Sequence, residues 1–107
     1  MKAIIVLNKP AVDSQQSMFT TSATLDQNIP NPFDNTTTVS YTLPRQYASA
    51  RIIVSDKSGR VIKEINISGS GKGSLQVNAS SLVSGTYQYS LVINGKLIST
   101  RQMLVGR

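Results

Sequence analysis

The chain has 107 residues, the size of one domain with one hydrophobic core, and 39% of them are hydrophobic. It contains no cysteine and no histidine, which excludes disulfide frameworks, thiolate zinc sites, cysteine nucleophiles and imidazole acid or base chemistry. Eleven basic residues against five acidic ones give a net charge of +6, yet Lys57, Arg60, Lys63, Lys72, Lys96 and Arg101 stand singly, without interleaved aromatic rings to stack on bases, so no nucleic-acid partner is expected.

Met1 and Lys2 precede an apolar run, Ala3 to Leu7, that is shorter than the roughly 7 to 15 residues of a signal-peptide core and the roughly 20 of a membrane span. If the chain is exported, its export signal is therefore expected upstream, on a longer parent. Residues 8 to 24 are rich in Ser, Thr, Gln and small side chains around one apolar pair, Met18-Phe19, so residues 1 to 24 read as a linker or the remnant of a longer parent. A weak strand signal spans Met18 to Leu25, and the domain proper is expected over residues 25 to 107.

Strand signals then recur at the spacing of about 8 to 12 residues that marks sandwiches. From Thr38 to Leu43 the side chains alternate, with Val39, Tyr41 and Leu43 on one face, until Pro44 stops the strand. Ala50 to Ser55 carries Ile52 and Val54 in phase, and Val61 to Ile67 carries Val61, Ile65 and Ile67. Asp56-Lys57-Ser58-Gly59 between them suits a type I turn and predicts a hairpin. Ser68 to Gly73 reads as a glycine-rich loop leading to a short strand, Leu75 to Val77, and no helix follows it to make a phosphate cradle.

The last hairpin has the clearest pattern. Tyr87, Tyr89, Leu91 and Ile93 share one face, which predicts that both tyrosines lie in the core, and Asn94-Gly95 follows as a type I′ turn. That turn sets Ile93 against Lys96, Leu91 against Ile98, Tyr89 against Thr100 and Tyr87 against Gln102. Ile98 and Leu104 are then expected to complete the tyrosine face, while Met103 and Val105 turn outward toward solvent or a partner. Together these elements predict an all-β fold, an antiparallel immunoglobulin-like β-sandwich of about seven strands.

The most distinctive segment is Leu25 to Phe33, LDQNIPNPF. Pro30 and Pro32 hold it extended, Leu25, Ile29 and Phe33 offer apolar contacts to the edge of the sandwich, and Asn28 and Asn31 can bond nearby backbone. TTTVSYTLP (Thr36 to Pro44), the Asp56–Gly59 hairpin, LVSGTYQY (Leu82 to Tyr89) and LISTRQMLV (Leu97 to Val105) follow in order. This succession resembles the type A C-terminal sorting domain of the type IX secretion system over about residues 25 to 107. Asn28, Pro30, Asn31, Pro32, Phe33, Gly85, Tyr87, Tyr89 and the final strand match the family pattern. The chain departs from it where family members often carry two adjacent basic residues near the end, since it has Arg101-Gln102.

The resemblance implies a domain that directs an exported cargo protein through the outer-membrane translocon, by way of the periplasm, to the cell surface or the medium. It implies as partners the translocon, outer-membrane shuttle proteins, the upstream cargo domain and, in cleaved members, a sortase-like cysteine peptidase acting near the linker. Recognition is expected at the edge of the last hairpin, through Lys96, Leu97, Ile98, Ser99, Thr100, Arg101, Met103 and Val105, because an unpaired edge can be extended by a partner strand. The five carboxylates form no acid/base pair and no serine has a histidine partner, so neither catalysis nor a cofactor or metal is expected. A sugar-binding or adhesive sandwich module is the alternative, and it would call for a surface platform built from Phe19, Tyr47 or Phe33.

Overall fold

The computed structural model describes residues 23 to 106. These form seven strands: β1 (Thr24–Leu25), β2 (Thr36–Leu43), β3 (Ala50–Asp56), β4 (Val61–Asn66), β5 (Gly71–Asn78), β6 (Gly85–Ile93) and β7 (Lys96–Val105). They pair antiparallel in two sheets, a three-stranded one in the order β1-β2-β5 and a four-stranded one in the order β4-β3-β6-β7. No helix occurs among the described residues, and the expected all-β sandwich is what forms. Of the strand signal over Met18 to Leu25, the structure shows Thr24–Leu25; the remainder lies outside the described residues.

The core fills the space between the sheets because the inward positions of facing strands are apolar. Val39 and Tyr41 of β2 meet Ile52, Val54, Tyr89 and Leu91 of β3 and β6, and none is more than 8% exposed. Burying an aliphatic side chain of this size stabilises the fold by about 1.5–3 kcal/mol relative to exposure. On the opposite face of the four-stranded sheet, Val92 is also buried, between Arg51 on β3 and Leu97 on β7.

Three expectations are corrected. The segment expected to be a loop up to Gly73 enters β5 already at Gly71, because the ladder with β2 runs unbroken from Leu43–Gly71 to Thr36–Asn78. Gly73 lies beneath the ring of Tyr41, where a Cβ would come within 2.7 Å of the ring. Val61, expected in phase on an inner face, is 53% exposed, because a bulge between Val54 and Ser55 shifts the register of this edge strand.

The third correction concerns the last hairpin. Its turn is type I′, with Asn94 at φ 54° and Gly95 at φ 76°. A bulge at Leu91/Val92 then passes over Ile98, so the pairs are Leu91–Ser99, Tyr89–Arg101 and Tyr87–Met103. One inserted residue exchanges the faces of everything beyond it. Met103 and Val105 therefore face the core, 0% and 3% exposed, while Leu104 points outward at 40%. The expectation that Met103 and Val105 turn toward a partner is overturned.

Candidate functional site: the terminal strand and its strap

β7 is an edge strand of its sheet, and the segment from Leu25 to Phe33 lies along the lower half of that edge. Leu25 and Phe33 are buried at its two ends, and Ile29, expected to make an apolar contact, is 73% exposed. Asn28 sits at 1% exposure between them. Its Nδ2 donates to the Pro30 carbonyl at 3.1 Å and to Thr37 Oγ1 at 3.0 Å. The Thr37 hydroxyl donates in turn to the Pro30 carbonyl at 2.8 Å. This buried polar knot gives the Asn-x-Pro spelling its physical reason: a side-chain amide and a hydroxyl satisfy the backbone of a strap whose prolines have no N–H to offer.

The strap then bonds the strand directly. Leu104 donates its amide to Asn31 Oδ1 at 2.9 Å, Phe33 donates its amide to the Leu104 carbonyl at 3.0 Å, and Gly106 donates to the Phe33 carbonyl at 2.8 Å. Gln27 Nε2 donates to the Gln102 carbonyl at 2.6 Å, and Arg101 Nε donates to the Leu25 carbonyl at 2.9 Å. Phe33 and Val105 form a parallel bridge. The edge expected to be free along its length is thus covered from Gln102 to Val105, because the strap supplies the groups that a neighbouring strand otherwise supplies.

Both motif tyrosines are in the core as expected, at 5% and 0% exposure for Tyr87 and Tyr89. The Tyr87 hydroxyl donates to the Val83 carbonyl at 2.6 Å, four residues back, in the manner of a tyrosine corner. The Tyr89 hydroxyl donates to the Asp26 carbonyl at 2.6 Å, and burial pushes its pKa up from the ordinary value. Gly85, at φ 152°, opens β6.

What stays open is the upper half of β7. Leu97 is 62% exposed, Thr100 and Arg101 are exposed, and Ile98 and Ser99 are half-buried. The ion pairs among the described residues are Arg51–Glu64 at 3.7 Å and Arg60–Asp56 at 3.3 Å, so Lys96 has no carboxylate partner there. Where the sheets part beside this half, a hollow of about 190 Å³ opens, lined by Ala23, Pro44, Gln46, Ile93, Lys96 and Ile98.

Sequence reasoning missed Gln27 and Thr37. Thr37 lies two residues before Val39, so continuing the alternation of β2 one step back marks it as inward. Gln27 left no such signal, because its bond crosses to a residue 75 positions away. Of the rings proposed for a sugar platform, Phe33 is 3% exposed, Tyr47 is half-buried with its hydroxyl donating to the Gly69 carbonyl at 2.5 Å, and Phe19 lies outside the described residues. No group of three or more His, Cys, Asp or Glu side chains among the described residues gathers to hold a metal ion.

No curated protein matches the chain. Among solved structures it is similar to a Pseudomonas fluorescens alkylpurine DNA glycosylase, AlkC, bound to DNA containing an abasic site analog. The TM-score is 0.52 at 10% identity, covering 80% of this chain and 31% of that one. The chain spans under a third of that enzyme's length, and the likeness is one of fold. The family model for the secretion system C-terminal sorting domain matches residues 28 to 105, the stretch from the buried Asn28 to the end of β7. By that match the chain belongs to the C-terminal sorting domain family of type IX secretion, whose role is to route secreted proteins across the outer membrane.

Proposed function

We propose that the chain directs an attached cargo protein through the type IX outer-membrane machinery by presenting the upper half of its terminal strand. The surface in question runs along Lys96, Leu97, Ile98, Ser99, Thr100 and Arg101. Met103 and Val105 serve it from within, anchoring the strand in the core instead of touching the machinery. The observation that carries this reading is the division of β7: from Gln102 onward the edge is already bonded to the strap, and before it the backbone edge is open and carries Lys96, which has no carboxylate partner among the described residues. Translocon and shuttle proteins are the partners this surface is suited to meet.

The test joins the whole chain to a periplasmic reporter in a bacterium that has this export route. It is compared with a tail ending at Gly95 and with a full-length tail carrying Leu97→Glu and Thr100→Glu, which leaves the core residues in place. The intact tail is expected to bring the reporter into the medium, and both altered tails to leave it in the periplasm. Equal release by all three, or by none, removes the support for the reading.

A further inference from the structure

The open half of β7 and the hollow beside it form one composite surface, and we infer that it takes an extended partner segment with one apolar residue between two acidic ones, added as a fifth strand to the four-stranded sheet. The inference rests on the sorting reading for the partner's origin in the export machinery, but its chemistry is read from the surface itself.

Backbone direction comes first. Leu104 and Gln102 turn their polar groups away from β6, since those groups bond the strap. By the two-residue alternation of a strand, Thr100 faces the same way. Beyond the bulge, the tight turn pairs Ile93 with Lys96, so Leu97 again faces outward. Among the described residues no strand or strap reaches Leu97 or Thr100. The amides of Leu97 and Thr100 are therefore free to pair with an added strand, over the window from Leu97 to Arg101 that ends where Gln27 bonds Gln102.

The hollow sets which side chain that strand carries. It lies on the core side of the edge, between Ile93 and Ile98, where every second residue of an added strand points. At about 190 Å³ it is smaller than the roughly 300–1,000 Å³ of ordinary small-molecule pockets. It is comparable to the engineered cavity of about 150 Å³ that holds a benzene ring. One branched or aromatic side chain fits it, in the way that pockets give specificity to strand addition.

Charge then selects the flanks. Lys96 borders the hollow on one side of Ile98, and Arg101, held in place by its Nε bond to the Leu25 carbonyl, keeps its positive charge on the other, so acidic residues two positions either side of the apolar anchor meet opposite charge in both strand directions. A second copy of this chain, pairing edge to edge, brings Lys96 and Arg101 against the same residues of its twin, which disfavours it.

The probe is the capped heptapeptide TETLTET, whose glutamates and leucine share one face and which reads alike in either direction. Titrated into the full chain, it is expected to bind at least tenfold more tightly than TKTLTKT or TETSTET, and to slow hydrogen exchange at the Leu97 and Thr100 amides. Thr100→Pro, which removes an outward amide without touching the ladder to β6, is expected to weaken binding at least tenfold, and Lys96→Glu to erase the preference for acidic flanks. Equal binding of the three peptides, or unchanged exchange at those amides, overturns the inference while leaving the export test standing. Slow exchange at Leu97 and Thr100 in the free chain also overturns it, because the edge is then already covered.

Discussion

Asn28 holds three polar contacts at a position that is 1% exposed: it donates to Pro30 and Thr37 and accepts from Gln27 Nε2 at 2.7 Å. Truncating it to alanine leaves buried groups unpaired, which costs about 1–3 kcal/mol for each group that water cannot reach. Asn28→Ala is therefore expected to lower the urea midpoint by an amount equivalent to about 2–3 kcal/mol, and Asn31→Ala, whose single bond to Leu104 is exposed, by clearly less. Similar midpoints for the two variants contradict the buried knot. Tyr89 adds a dependence on pH. Its pKa in the folded chain is raised above the ordinary 10.0 by burial, so the protonated phenol is the form the fold favours. That contribution is complete below pH about 10 and is lost as pH rises toward the folded value. Tyr89→Phe should lose about 0.5–1.5 kcal/mol at neutral pH with its bond to Asp26, and should show a flatter stability curve in alkali. A curve as steep as that of the parent chain assigns the alkaline loss to another group.

At the level of elements, the register of β7 decides which of two neighbouring residues matters. Met103, fully buried, should cost about 2–5 kcal/mol on truncation to alanine, whereas Leu104→Ala on the outer face should stay within about 0.5 kcal/mol, both read from chemical denaturation. The reverse order describes the unbulged hairpin that strict alternation from Asn94-Gly95 predicts. That hairpin shows what the sequence conveys and what it does not. Periodicity placed Val39, Tyr41, Ile52, Tyr87 and Tyr89 in the core, and the turn residues marked both hairpins, because these are local properties of strands and turns. The bulge at Ile98 leaves no such mark in the sequence: it shows only in the pairing of β7 with β6, where it turns Met103 into the core. For the same reason the strap was recognisable as a motif but not as the cover of the terminal edge. Gly73 is a third case, since a glycine in a loop and a glycine under a tyrosine ring are spelled alike. Gly73→Ala should cost about 1–3 kcal/mol through overpacking against Tyr41.

Across the whole molecule, the described chain closes on itself: the strap that opens it bonds the strand that ends it, through Phe33 and Val105, Gln27 and Gln102, and Leu25 and Arg101. Contacts this distant in sequence form late relative to local hairpins, because the loop between them must first be ordered. A chain ending at Gly95 lacks Met103 and Val105 from its core, leaves Phe33 without its bridge, and exposes the outer edge of β6, which has no partner other than β3. It is expected to show no cooperative unfolding transition by circular dichroism and to bind a dye for exposed apolar surface, whereas the chain carrying Leu97→Glu and Thr100→Glu unfolds cooperatively near the parent midpoint. The two altered tails are then equivalent in export but not in folding. The truncation joins a lost fold to a lost surface, and the double substitution removes the surface alone. A cooperative transition in the truncated chain at the parent midpoint makes the terminal strand an appendage instead of part of the core, and severs the link between the strap motif and the terminal one.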